Sequence, residues 1–149
     1  MERIRALIID DHPDVRRALS ERLSNSDLIE VTASARDISG GRALFGPVHP
    51  DAVLLGLRAQ DAPRDLTTIA DLATDLSHHH AALLVLTSYS FEDERDEIMR
   101  AGARRYLLKD IDTQHLIEEI VDSITECRTA PPEETAADKP EDPTVLPIE

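Results

Sequence analysis

Short apolar runs recur along the chain, and each ends at a glycine or a polar residue. The clearest run covers residues 52–55, four apolar positions bounded by Pro50 and Gly56. It is too short for a helix and shows no alternation, which is typical of a strand buried on both faces of a parallel sheet. We therefore predict a parallel sheet organised around this strand.

Segments with helical spacing separate five such runs. Val15, Leu19 and Leu23 share one predicted helical face, and Gly46-Pro47 is expected to end the weak second helix. The predicted strands cover residues 4–9, 28–33, 52–55, 83–86 and 104–108, and the predicted helices cover 13–24, 37–45, 65–77, 91–101 and 113–128.

This alternation of strands and helices predicts a parallel sheet with helices on both faces. Right-handed crossovers bring the carboxyl ends of all the strands to one edge. Asp10, Asp11, Gly56, Thr87 and Lys109 stand at or next to those ends. We expect them to converge although they are far apart in the sequence.

The net charge of the chain limits the kinds of partner that it is expected to bind. The chain has 149 residues, 30 of them acidic and 16 basic, for a net charge of −14. The electrostatic field of such a negative charge repels nucleic acid and anionic membranes, so we expect no direct binding to either. The apolar stretch before Asp10 is too short for a signal peptide, and the single Cys127 fits a reducing compartment. We expect a cytoplasmic protein.

The composition changes after residue 129. Residues 130–149 hold five prolines, six acids and one lysine. Such a segment buries too little apolar surface to offset the entropy of ordering it. We predict a folded domain at 1–129 and a disordered acidic tail at 130–149. The alternative is a linker or docking segment, in which Val145-Leu146-Pro147-Ile148 forms a short adhesive end.

An ordered set of short segments resembles the receiver domain of bacterial two-component response regulators, over about residues 3–128. The segments are Ile9-Asp10-Asp11-His12-Pro13, Pro50-Asp51-Ala52-Val53-Leu54-Leu55, Leu86-Thr87-Ser88, Gly102-Ala103 and Tyr106-Leu107-Leu108-Lys109-Asp110. The resemblance implies a flavodoxin-like, doubly wound α/β fold, (βα)5, with a five-stranded parallel sheet in the order 2-1-3-4-5. It also implies a signalling module, not an enzyme.

In that family an acid pair helps to hold Mg²⁺, and an aspartate ending the third strand accepts phosphate from a histidine kinase. A hydroxyl and a lysine bind the phosphoryl oxygens. Asp10 and Asp11 match the acid pair, Thr87 the hydroxyl and Lys109 the lysine, whereas the acceptor position falls on Gly56. Because an acyl phosphate needs a carboxylate nucleophile, we predict an atypical receiver that acts without aspartyl phosphorylation. No cofactor is required, Mg²⁺ binding by the acid pair is weak at most, and Lys109 is expected to turn to Asp10 or Asp11.

Three groups of acidic or histidine residues have alternative interpretations. Asp51 lies at the opposite end of its strand, roughly 17 Å from Gly56 at about 3.3 Å per residue, and is excluded as a substitute acceptor by distance. Asp61, five residues after Gly56 in a predicted loop, is an alternative acceptor but not the expected one. The acid pair has the alternative role of capping the following helix. His78-His79-His80 are predicted to form a solvated loop and not a metal site.

The resemblance also implies a contact surface. In the family, the face of the fourth helix, fifth strand and fifth helix mediates dimers and output contacts, and Tyr106 matches a switch aromatic. The alternative for Tyr106 is a half-buried strand aromatic. The charged residues predicted on this face are Glu92, Arg95, Asp96, Arg100, Arg105, Lys109, Asp110, Glu118 and Asp122.

The predicted partners are therefore a protein, such as a histidine kinase or a separate output protein, and a second copy of the chain bound through this face. The alternative function is a ligand- or nucleotide-binding protein on the same fold. No glycine-rich phosphate loop follows the first strand to support it.

Overall fold

The computed structural model describes residues 3–57 and 66–129, with the side chain of Thr129 left out. The predicted loop around Asp61, the residue Asp65 and the predicted tail 130–149 lie outside the described residues. The strands are β1 Ile4–Ile9, β2 Ile29–Ala35, β3 Ala52–Leu57, β4 Ala82–Thr87 and β5 Arg105–Leu108. The helices are α1 Pro13–Ser24, α2 Ile38–Ala43, α3 Phe45–Val48, α4 Leu66–His78, α5 Glu92–Ala101 and α6 Thr113–Thr129.

The strands form one parallel sheet in the order β2-β1-β3-β4-β5, which confirms the predicted fold class. Successive side chains of a strand point to opposite faces. In β3, Leu54 joins the core cluster under α1 and α6, whereas Val53 and Leu55 join the cluster under α4 and α5. The sheet is thus buried on both faces, which explains why its central strands carry continuous apolar runs.

The second predicted helix differs from the observed structure. Two short helices, α2 and α3, replace it, and Gly46 and Pro47 lie inside α3 instead of ending the helix. Pro47 is tolerated because the first N–H groups of a helix have no partner within the helix. Asp37 begins α2, where its carboxylate accepts the N–H of Gly40 at 2.7 Å.

The two edges of the sheet differ in what they hold. We call the edge at the carboxyl ends of the strands the upper edge and the opposite one the lower edge. At the lower edge, the Asp51 carboxylate accepts the backbone N–H of Arg5 at 2.9 Å and pairs with Arg128 at 2.7 Å. These contacts fasten the end of α6 beneath β3 and put Asp51 far from the upper edge, as predicted.

Within the described ranges, no helix has the length and apolar character needed to cross a membrane.

The turn from α5 to β5 gives a test of the fold. Gly102 has φ 122°, and a Cβ added there would come within 2.7 Å of the Ala73 Cβ in α4. We expect Gly102→Ala to lower the free energy of unfolding by about 1–3 kcal/mol, because both the backbone conformation and the contact oppose a side chain. Urea denaturation measures the change.

The matched control is Gly46→Ala in α3, where an added Cβ meets nothing within 4 Å. It is expected to leave stability unchanged or to raise it by up to about 1 kcal/mol. Equal losses in the two variants would contradict the packing of α5 against α4.

Candidate functional site

Asp10 is the buried centre of the upper edge. It directly follows β1, its N–H bonds the carbonyl of Ala35 at 3.0 Å, and the residue is only 1% exposed. Its Oδ1 accepts the N–H of His12 at 2.9 Å, and His12 is the residue that precedes α1. The alternative that the acid pair itself forms the N-cap is therefore wrong, although Asp10 does fix the entry to α1.

The ammonium group of Lys109 is the positive charge that compensates the Asp10 carboxylate. Its Nζ lies 2.9 Å from Asp10 Oδ2, and its side chain is 15% exposed. Among the described residues, no donor reaches Oδ2 with hydrogen-bond geometry, so the contact is an ion pair without a well-aligned hydrogen bond. A buried carboxylate without a countercharge is costly, and this pair is therefore the main support for Asp10. Of the two acids predicted as partners for Lys109, the structure selects Asp10.

Gly56 leaves the space that this ion pair uses. A Cβ built at Gly56 would lie 1.9 Å from Asp10 Oδ2 and 2.7 Å from its Cγ. Both distances are far below van der Waals contact, so the Asp10 carboxylate fills the volume that any side chain at position 56 would enter. The glycine and the orientation of Asp10 depend on each other.

Thr87 and Asp11 adjoin this group, Thr87 at the end of β4 and Asp11 directly after Asp10. Thr87 is buried and its hydroxyl donates to the carbonyl of Tyr89 at 3.0 Å, while its own carbonyl accepts the N–H of Lys109 at 2.8 Å. Asp11 is exposed. The structure thus places Asp10 against both Lys109 and Gly56, and it leaves Thr87 oriented toward the β4–α5 loop.

No metal cluster forms in the part of the chain that the structure describes, where no three His, Cys, Asp or Glu side chains are arranged to hold an ion. Asp10 already uses Oδ1 on His12 and Oδ2 on Lys109. His78, His79 and His80 are exposed at the end of α4, at the lower edge.

Two arginines of α1 support the upper edge and were missed by sequence reasoning. Arg16 donates to the carbonyl of Asp10 at 2.7 Å. Arg22 donates to the hydroxyl of Thr113, the first residue of α6, at 2.9 Å and to the carbonyls of Lys109 and Ile111 in the β5–α6 loop. Because Arg22 and Thr113 are 91 positions apart, no local pattern could have identified the contact.

Tyr106 is buried, with 8% of its surface exposed. Its hydroxyl donates to the carboxylate of Glu94 and accepts the N–H of Phe91 at 3.3 Å. Burial raises the pKa of Tyr106, and the hydrogen bond to Glu94 raises it further. The ring is buried more deeply than the half-buried strand aromatic given as the alternative, and Glu94 is a partner that the sequence did not suggest.

The predicted contact face is formed by α5, β5 and α6. Arg105 is largely used within the chain, since its guanidinium pairs with Glu119 at 2.5 Å and Glu126 at 2.8 Å on α6. The hydrogen bond to Glu126 is the main cause of the raised pKa of Arg105, and the same contact lowers the pKa of Glu126. Arg95, Arg100, Asp110 and Glu118 are exposed and remain at the surface of this face.

Comparisons with known proteins agree with this geometry. The family model described as the response regulator receiver domain matches residues 6–121. The chain is 29% identical over 119 residues to the nitrate/nitrite response regulator protein homolog of Haemophilus influenzae, covering 80% of this chain and 56% of that protein. It is 35% identical over 106 residues to the transcriptional regulatory protein LiaR of Bacillus subtilis, covering 71% and 49%. The chain thus spans about half the length of these curated relatives.

Solved structures share the fold. The signal receiver domain of the response regulator NarL from Mycobacterium tuberculosis superposes with a TM-score of 0.73 at 22% identity, covering 84% of this chain and 98% of that one. The response regulator ChrA of a heme-sensing two-component system gives a TM-score of 0.65 at 30% identity, covering 89% and 62%.

The ion pair at the upper edge predicts a coupled response to mutation. Lys109→Met leaves the buried Asp10 carboxylate without a countercharge, so we expect it to lower the free energy of unfolding by about 3 kcal/mol. Asp10→Asn removes the charge that Lys109 compensates. The double variant should lose about 1–3 kcal/mol less than the sum of the single losses. Urea denaturation of the four proteins measures this coupling, and strictly additive losses would contradict it.

Proposed function

The chain belongs to the response regulator receiver domain family, and we propose that it is an atypical receiver of two-component signalling that acts through protein contacts without aspartyl phosphorylation. Gly56 stands where the family resemblance puts the phosphate acceptor. The observation that carries the proposal is that the Asp10 carboxylate, paired with Lys109, occupies the space beside Gly56.

The chemistry of phosphoryl transfer supports this proposal. An acyl phosphate forms only when a carboxylate oxygen attacks the donor phosphorus in line. Gly56 has no such oxygen, and Asp10 is 1% exposed with one oxygen on an N–H group and the other beside an ammonium group. Asp51 is at the lower edge, and Asp61 lies outside the described residues.

The same contacts argue for a receiver that needs no metal. Mg²⁺ prefers nearly octahedral oxygen ligands that include carboxylates. To serve as a ligand, Asp10 would have to give up its pairing with Lys109. We therefore propose that no cofactor is required and that Mg²⁺ binds weakly at most, through Asp10 and Asp11.

The proposed partners use the α5–β5–α6 face. Exposed charges of both signs, among them Arg95, Arg100, Asp110 and Glu118, suit reciprocal pairing across a two-fold axis between two copies. A histidine kinase or a separate output protein is the proposed second partner, and the cytoplasm is the proposed location. The buried Tyr106 and its bond to Glu94 hold this face in one arrangement.

The ligand-binding alternative needs an open crevice at the upper edge. Asp10 fills the space over Gly56, and its carboxylate with the nearby Asp11 would repel a phosphate group. No contact within the described residues favours this alternative over the receiver.

The absence of phosphorylation is directly testable. Incubation with acetyl phosphate and Mg²⁺, followed by intact-mass measurement, is expected to show no phosphoryl adduct on the natural chain. The Gly56→Asp variant restores a carboxylate if Asp10 rotates away, and it is expected to gain a hydroxylamine-sensitive adduct. Gly56→Asn is the matched control, because its side chain makes the same clash with Asp10 but cannot form an acyl phosphate. A hydroxylamine-sensitive adduct on the natural chain would refute the proposal.

The contact face gives a second prediction. We expect a concentration-dependent dimer by sedimentation, and we expect its dissociation constant to be the same with and without acetyl phosphate. Arg95→Glu on α5 should weaken the dimer about tenfold, equivalent to about 1.4 kcal/mol, through like-charge repulsion. Arg17→Glu on α1 is the control for a charge change elsewhere and should have no effect. A dimer that forms only in the presence of acetyl phosphate would contradict the proposal that the chain acts without phosphorylation.

A further inference from the structure

A groove of about 620 Å³ lies at the lower edge, on the side opposite the Asp10–Lys109 pair. The second halves of α4 and α5 form its walls, and the start of β4 forms part of its floor. None of the residues discussed at the upper edge lines it. The groove therefore has no part in the proposed receiver chemistry.

The lining combines an apolar floor with the guanidinium of Arg104. Leu83 and Ala103 are buried at its base, and Met99 is partly buried on its α5 wall. Arg104 lines it together with the exposed imidazoles of His78 and His80. Arg104 also lies shortly after the end of α5, so part of its charge offsets the negative end of that helix dipole. The apolar floor is accordingly the stronger attraction for a ligand.

The end of α6 reaches the same groove. Cys127 is one of the lining residues, and its thiol lies 3.6 Å from the carbonyl of Ala81. The ion pair between Arg128 and Asp51 fastens this end of α6 at the lower edge. The chain therefore continues into residues 130–149 from a point beside the groove.

The composition of residues 130–149 complements the lining. The segment contains six acids and one lysine, and Val145-Leu146-Pro147-Ile148 stands near its end. The acids suit the guanidinium of Arg104, and the four apolar residues suit the apolar floor. The groove thus offers a positive charge close to the point where an acidic segment begins.

We propose that the groove binds the chain's own segment 130–149, with residues 145–148 on the apolar floor and the acids facing Arg104. About 17 residues separate Leu146 from the end of α6, which gives a root-mean-square span of about 20–25 Å for a flexible chain. A tether of this length holds the segment at an effective concentration in the millimolar range. Binding that would be weak between separate molecules is thereby sufficient to fill the groove.

A spin label on the segment tests the proposal in the full chain. Thr144→Cys, made with Cys127→Ala so that the label has one attachment point, carries a nitroxide next to the apolar residues. We expect loss of amide NMR signal at His80 and Arg104 and unchanged signals at Gly56 and Lys109. Adding Leu146→Ser and Ile148→Ser should restore the lost signals. The proposal would be overturned if no amide signal were lost, or if the signals were lost at the upper edge.

Two controls separate the other occupants. When the spin-labelled chain is mixed with an isotope-labelled chain that has no spin label, signal loss at the groove of the second chain would show binding between copies and overturn the intramolecular proposal. The natural Cys127 gives an independent measurement that needs no change to α6. Its alkylation should be faster in the Leu146→Ser, Ile148→Ser variant than in the natural chain, and an unchanged rate would contradict the proposal.

Discussion

The buried carboxylate of Asp10 constrains the whole upper edge of this fold. A charge with 1% exposure needs a countercharge, and in a chain of net charge −14 basic groups are scarce. Lys109 provides one from beyond β5, and its Nζ lies 2.9 Å from Asp10 Oδ2. β3 lies beside β1 in the sheet, and its Gly56 leaves the space that the carboxylate fills. Any side chain at position 56 would therefore force Asp10 to move and would weaken the contact that compensates it.

This dependence joins the ends of β1, β3 and β5 through contacts within the chain. A receiver that takes up phosphate alters its charge when a donor arrives, whereas the Asp10–Lys109 pair is supplied by the chain itself. The surrounding contacts are also internal: Thr87 bonds the Tyr89 carbonyl, Tyr106 bonds Glu94, and Arg22 bonds the β5–α6 loop. Together they hold the β4–α5 loop, α5 and the β5–α6 loop around the upper edge.

The sequence predicted the sheet well because apolar runs, glycines and prolines mark buried parallel strands clearly. The strand positions, the convergence at the upper edge and the separation of Asp51 from Gly56 could all be inferred in this way, whereas the strand order was implied by the family resemblance. The division of 38–48 into α2 and α3 could not, since Gly46-Pro47 is compatible with either the end of one short helix or the first turn of the next. The choice of Asp10 over Asp11 by Lys109 was left open, because it depends on a void that exists only after β1 and β3 pair.

The lower edge differs from the upper edge in being open. There Asp51 binds both the backbone of Arg5 and the guanidinium of Arg128, which fixes the place where α6 ends but leaves the groove beside Cys127 accessible. A closed polar group such as Asp10–Lys109 resists new ligands, because each ligand must replace a contact already made. An apolar groove imposes no such exchange, because its apolar lining atoms have no polar contact to give up. The lower edge is therefore the more accessible place for a further contact.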